Sequence, residues 1–328
     1  MINKILEIKN FKSIKHLKLD CKKINIFIGK PNTGKSNILE SVGFFSLLHG
    51  ADHFKKWIRV QNTTNLFYDN DLSQQISINI DNSRGTLKFN NGSFDGEIRM
   101  RIGDQRQSFI FHTYYDPRLQ WQKGWNTKAP FKFYKFNIQD SFQSSDANFL
   151  HPPDGDNLLT ILLTSKSLKK AAADIFSEYK LRIVLKPQER QIEVQKEVDD
   201  VVISWPYSLV SDTLQRIVFH LAAIETNTDS VIILEEPESH SFPYYTTFLA
   251  ERIALDKTNQ YFIATHNPYF LFSILEKAPK EDVGIFITYF EDYQTKVRPI
   301  KDEEMAQVFD LDDDIFLNLD KFIKSGKE

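Results

Sequence analysis

Ile24-Asn25-Ile26-Phe27-Ile28-Gly29-Lys30-Pro31-Asn32-Thr33-Gly34-Lys35-Ser36 joins an apolar run to a glycine-bracketed loop. The run from Ile24 to Ile28 is apolar at every position but Asn25, as a central strand covered on both faces would be. Gly29 to Ser36 has the spacing GxxxxGK[ST]. Beyond it, Lys35 to Leu48 carries Ile38, Val42 and Phe45 at helical spacing. Strand, tight loop and helix in that order form a cradle for phosphate: backbone N–H groups line the turn and the helix adds its positive end. Lys35 supplies a cation for the β- and γ-phosphates, and the Ser36 hydroxyl suits Mg²⁺. Gly29, Asn32, Thr33, Gly34, Lys35, Ser36 and Asn37 are therefore candidate nucleotide contacts. No NKxD-like guanine reader follows, which favours ATP.

Outward from this stretch the chain gives three further signals. Val231-Ile232-Ile233-Leu234 is a short apolar strand that ends in Glu235-Glu236-Pro237-Glu238. Taken alone this reads as a solvated acidic turn. Downstream of a phosphate loop it reads as the carboxylates of a P-loop hydrolase, with Glu235 holding the metal directly or through water and Glu236 facing the attacking water. Tyr261-Phe262-Ile263-Ala264-Thr265 delivers His266 to the carboxyl edge of a sheet, where it can hydrogen-bond a γ-phosphate or the same water. Ser211-Asp212-Thr213 opens an amphipathic helix over Leu209–Ile224. Ser211 or Asp212 serves as its cap, or Ser211 meets the γ-phosphate held by a second protomer.

The 328 residues include 41 Lys and Arg against 44 Asp and Glu, a net charge of −3, which argues against a chain-wide basic surface. A single cysteine, Cys21, excludes an internal disulfide and a multi-cysteine metal site, and fits a reducing compartment. The opening segment lacks the unbroken apolar stretch of a signal peptide, and no run is long enough to span a membrane, so a cytoplasmic chain is expected. Gln74 to Phe111 alternates in short stretches between turn residues and reads as antiparallel strands; Asp156 to Tyr179 reads as a helix; Leu181 to Ser204 returns to alternation; Val283–Phe290 and Thr295–Ile300 read as a closing hairpin. The predicted fold is α/β, a P-loop NTPase with a mixed sheet, an antiparallel β subdomain and a helical lobe. Residues 1–50 and 205–328 would form the nucleotide-binding core of one split head, with 51–204 inserted.

In order and type these motifs resemble the ABC-type ATPases of the SMC/RecF/OLD group, particularly small AAA-type proteins related to OLD nucleases. Asn10-Phe11-Lys12-Ser13-Ile14 looks like the turn that in that group lies beside base and ribose, which makes Lys12 and Ser13 candidate nucleotide contacts. Leu234 to His240 is similar to the fused acidic motif and following loop, Ala264 to Pro268 to the switch histidine, and Val210 to Arg216 to the signature helix. That helix has Asp212 and Thr213 in place of the usual glycine pair, and Gln105, Gln107 and Gln120 all remain open as the Q-loop glutamine.

The resemblance implies an ABC-ATPase-like head using ATP and Mg²⁺, and a homodimer, or a higher oligomer, that sandwiches two ATPs. Ser211 of one subunit would then close on Lys35 and Ser36 of the other. No toprim nuclease segment follows the closing hairpin. A separately encoded effector, as in antiviral defence, is therefore the implied partner. The rival readings are a RecF-like ATPase that binds DNA, with Lys55-Lys56-Trp57-Ile58-Arg59 and Lys166–Lys170 as contacts, and an ATP-gated scaffold that does not turn over. A cluster of Tyr114, Tyr115, Arg118, Trp121 and Trp125 is left as packing.

Overall fold

The computed structural model describes residues 3–143, 148–305, 307–308 and 312–325. In chain order, β1 (Ile5–Phe11) and β2 (Ile14–Asp20) form a hairpin, and β3 (Ile24–Gly29) leads through the glycine-bracketed loop into α1 (Lys35–Gly43). Helical winding goes on beyond Gly43 as a 3₁₀ segment, Phe44–His49, so the helix expected through Leu48 changes pitch part-way. Then come β4 (Ile76–Ile80), β5 (Ser83–Asn90), β6 (Ser93–Ile102), β7 (Gln105–Thr113), β8 (Gln120–Lys123) and β9 (Phe131–Tyr134). The helix expected over Asp156–Tyr179 is two, α2 (Leu158–Thr164) and α3 (Lys166–Ser177). Ser165 separates them because its backbone is extended and its hydroxyl accepts from Leu168 N–H, capping the second helix. The chain continues through β10 (Arg182–Lys186), β11 (Gln191–Val198), β12 (Val201–Pro206), α4 (Asp212–Glu225), β13 (Val231–Glu235), α5 (Pro243–Leu255), β14 (Gln260–Ala264) and α6 (Pro268–Lys277). It closes with β15 (Val283–Glu291), β16 (Gln294–Pro299) and α7 (Leu319–Ser325).

Three sheets result. The core sheet has the order β16-β15-β3-β14-β13-β9 and is parallel throughout except for the β15–β16 hairpin. A seven-stranded antiparallel sheet has the order β2-β1-β4-β5-β6-β7-β8, and β10 to β12 form a small antiparallel sheet. Residues 5–20 thus join the antiparallel sheet with residues 76–123, while Phe131–Tyr134 supplies the edge strand of the core sheet.

Alternation along the core strands divides the interior. Ile24, Ile26, Ile28, Ile232, Leu234, Tyr261 and Ile263 pack against the helices α2 to α6. Phe27, Ile233, Phe262, Phe131 and Phe133 face the opposite way, onto α1 and the antiparallel sheet. Helix α1 is enclosed between two sheets, and Ile38, Leu39, Val42 and even Glu40 are fully buried. No helix among the described residues is long and apolar enough to cross a membrane.

Candidate functional site

The loop after β3 holds its shape through contacts with the closing hairpin. Thr33 donates its hydroxyl to Lys30 O at 2.8 Å and shares a 2.7 Å hydrogen bond with Thr288 Oγ1 of β15. Gly34 has φ +97°, and a Cβ there would lie 2.0 Å from Thr295 Oγ1 of β16, so only glycine fits both the turn and the neighbour. Asn32 is the other left-handed residue of the loop, at φ 61°. Lys35 is buried and folds back, donating to Gly29 O at 2.8 Å and Lys30 O at 3.0 Å. Burial pushes its ammonium down to about 8, against the pull of Glu236 and Glu235. Ser36 and Asn37 are half-buried in the first turn of α1.

Sheet order brings the acidic strand near. β14 lies between β3 and β13, so two strand spacings, about 10 Å, separate the phosphate loop from the end of β13. Glu235 ends β13 with its side chain 26% exposed. At Glu236 the chain turns into the left-handed region, φ 46°, while its N–H donates to Ala264 O at 2.9 Å. That turn carries the Glu236 carboxylate to 3.4 Å from His266 Nε2, and Ser239 Oγ donates to it at 3.1 Å. Burial lowers the His266 pKa, the Lys35 charge lowers it further, and Glu236 opposes both. Lys35, Glu235, Glu236 and His266 are therefore electrostatic neighbours on one sheet edge.

The other expected residues lie around this group. Ser13 shares a 2.7 Å hydrogen bond with Thr295 Oγ1 and accepts from Asn37 Nδ2 at 2.7 Å. Lys12 points elsewhere: it forms an ion pair with the buried Glu40, donates to Arg59 O at 2.6 Å, and has its pKa lowered by burial. Ser211 is exposed at the start of α4 and makes no side-chain capping bond. Its neighbours are engaged within the same chain, Asp212 with Arg216 at 2.9 Å and Thr213 with His240 O. Among the described residues, no hydrogen bond joins the Ser211 side chain to the loop. Of the three open glutamines, Gln105 and Gln107 belong to β7 and Gln120 to β8, in the antiparallel sheet.

Several contacts around the site escaped the sequence reading. Arg59 binds Glu40 through Nε at 2.9 Å and stands 3.7 Å from Glu235, which links the Lys12–Glu40 pair to the acidic strand. Glu238 is buried behind the acidic pair and accepts from Thr265, just before His266. Thr288 and Thr295 lie in a hairpin whose alternation gave no sign of contact with the loop. In the basic run Lys55–Arg59, expected as a DNA contact, Lys55 and Lys56 are exposed, Trp57 is fully buried and Arg59 is tied to Glu40. In the aromatic cluster, Trp121 packs on Phe111, whereas Tyr114, Tyr115 and Trp125 are exposed. A cavity of about 800 Å³ opens at the far end of β9 and β13, lined by Arg101, Lys128, Lys132 and Phe149, away from these residues.

Residues 1–181 match the AAA ATPase domain family. Among curated proteins, one similar stretch is 36% identical over 104 residues to an uncharacterised protein of Methanocaldococcus jannaschii, covering 27% of this chain and 48% of that protein. Another is 44% identical over 59 residues to the DNA replication and repair protein RecF of Lactococcus lactis subsp. cremoris, covering 17% of this chain and 16% of RecF. The chain thus spans about half or less of the curated relatives it matches. Among solved structures, an SMC head bound to the C-winged helix domain of ScpA superposes with a TM-score of 0.53 at 14% identity, covering 94% of this chain and all of that one. That likeness establishes the P-loop ABC-ATPase fold.

Proposed function

Since the chain belongs to the AAA ATPase domain family, with the SMC/RecF type of ABC-ATPase fold, we propose that it is a Mg²⁺-dependent ATPase that switches by ATP-driven dimerisation. The observation that carries this reading is the meeting of Lys35, Glu235, Glu236 and His266 at the carboxyl edge of one sheet. The loop from Gly29 to Gly34 binds the phosphates, with Asn32, Thr33 and Asn37 shaping it. Lys35 leaves the carbonyls of Gly29 and Lys30 for the anionic phosphates, which offer it a stronger, charge-assisted partner. Ser36 and Glu235 offer hydroxyl and carboxylate oxygens, the donor type Mg²⁺ takes when phosphates and water complete its shell. When bound, that ion supplies charge neutralisation along the phosphates. Glu236 accepts the proton of the attacking water, and His266, held 3.4 Å from it, orients water or γ-phosphate.

A second copy completes the site, with Ser211 presented to the phosphates across the interface. Residues 1–50 and 205–328, with Phe131–Tyr134 added as an edge strand, form the nucleotide-binding half of a split head, and Ser13 flanks its nucleoside side while the Lys12 ammonium turns to Glu40. The output passes to a separately encoded effector, in the manner of a sensor subunit in a cytoplasmic antiviral system. Engagement of Asp212 and Thr213 within their own chain favours one alternative, a scaffold that binds ATP with negligible turnover.

Two variants test the reading. Lys35→Ala is expected to abolish ATP binding, and Glu236→Gln to retain binding, lose hydrolysis and run as a dimer when ATP is present. Light scattering and single-turnover hydrolysis measure both. Hydrolysis at the wild-type rate in either variant refutes the assignment, and wild-type turnover far below ~1 s⁻¹ selects the scaffold.

A further inference from the structure

A triphosphate laid along the loop after β3 has its direction set by the order of the strands. Glu235, Glu236 and His266 stand at the ends of β13 and β14, on one side of β3, so the γ-phosphate end faces that side. The nucleoside leaves on the other side, towards β15 and β16. There β15 runs parallel to β3 as far as Thr288, opposite Gly29, and continues to Glu291 after β3 has ended. At ~3.3 Å per residue it overshoots the loop by about 10 Å. The chain reverses at Asp292 and Tyr293, with φ 50° and 58°, and β16 returns. Thr295 N–H donates to Ser13 O at 2.8 Å, and the Thr295 side chain fills the space over Gly34.

Tyr293 lies two residues outward from Thr295, at the tip of this overhanging hairpin. Tyr293 is 85% exposed, more than any other exposed large hydrophobic residue among the described residues. Its backbone occupies the left-handed region, where Asn or Gly is the usual choice for a two-residue hairpin turn. Tyr68 Oη donates to Tyr293 O at 3.3 Å and braces the turn. A bulky aromatic at an unfavourable φ, uncovered by its own chain and held on the side where a nucleoside emerges, is suited to covering a base.

We propose that the Tyr293 ring stacks on the purine base of the nucleotide held by the glycine-bracketed loop. This rests on the reading that the loop binds ATP. Stacking on an aromatic ring recognises the π-face of a base, so it adds affinity for ATP and GTP alike.

Calorimetric titration with ATP, GTP and inorganic tripolyphosphate tests the proposal on wild type, Tyr293→Asn, Tyr293→Phe and Lys35→Ala. Asn tolerates the left-handed turn, so Tyr293→Asn removes the ring without disturbing the hairpin. The expected result is ATP and GTP binding weakened ~10–100-fold in Tyr293→Asn, restored in Tyr293→Phe, with tripolyphosphate unaffected by either. Unchanged ATP binding in Tyr293→Asn, or an equal loss for tripolyphosphate, overturns the stacking while leaving the loop's role intact. A wild-type protein that binds no ATP, or Lys35→Ala binding it as wild type does, overturns the reading of the loop and the stacking with it.

Discussion

Glu238 accepts from Thr265 at Oε1, while its other oxygen is buried with no hydrogen-bond partner among the described residues. Burial strips the carboxyl of water, and the nearby Glu236 charge adds repulsion. Both effects oppose ionisation and push the carboxyl up to about 7 from the usual 4.5. A carboxyl raised on folding supports the native state fully below its unfolded pKa, and that support fades as pH climbs through the folded value. The window is therefore pH 4.5 to 7, and the stability lost across it is about 3 kcal/mol. Glu238→Gln stays neutral at every pH and keeps an acceptor for Thr265. Thermal melts are expected to show the variant close to wild type at pH 4.5 and more stable at pH 8; a stability gain independent of pH contradicts the account.

At the scale of elements, the β15–β16 hairpin props up the phosphate loop. Alternation in Val283–Phe290 and Thr295–Ile300 was enough to read the hairpin, since it is a local pairing. Nothing in that alternation could reveal that Thr288 and Thr295 rest on Gly29 and Gly34, some 260 residues away, because such contacts depend on which strands become neighbours in the sheet. The Gly34→Ala substitution separates the two constraints at that contact. Alanine at φ +97° strains the backbone by ~1–2 kcal/mol, and its Cβ collides with Thr295. Adding Thr295→Ala, which removes the hydroxyl and methyl nearest the new Cβ, eases the collision to a single 2.9 Å approach of the two Cβ atoms and leaves the strain. Chemical denaturation is expected to show the double variant more stable than Gly34→Ala and still less stable than Thr295→Ala. Additive losses in the double variant would mean that the two side chains do not meet.

For the whole molecule, the candidate site was legible where chemistry and sequence coincide: the glycine-bracketed loop, the acids closing one apolar strand and the histidine closing another. Which sheet each strand joins was less so. Leu6 and Ile8 alternate with charged residues as any half-buried strand does, and Phe131–Tyr134 is only four residues long, with a partner, Val231–Leu234, a hundred positions downstream. The consequence of that pairing is mechanical. Helix α1 begins at the phosphate loop and lies between the core sheet and the antiparallel sheet, packed on both through Ile38, Leu39 and Val42. Glu40 on the same helix ties Lys12 at the β1–β2 turn to Arg59, and Arg59 reaches Glu235. Neither sheet can lose its packing without exposing α1 and unpairing the fully buried Glu40, a costly step for a charge. Calorimetry is therefore expected to record a single unfolding transition. Saturating ATP with Mg²⁺ should raise that transition as a whole, by about 2.7 kcal/mol at a hundredfold excess over Kd. Two transitions, only one of them moved by nucleotide, would show that the antiparallel sheet folds independently of the phosphate loop.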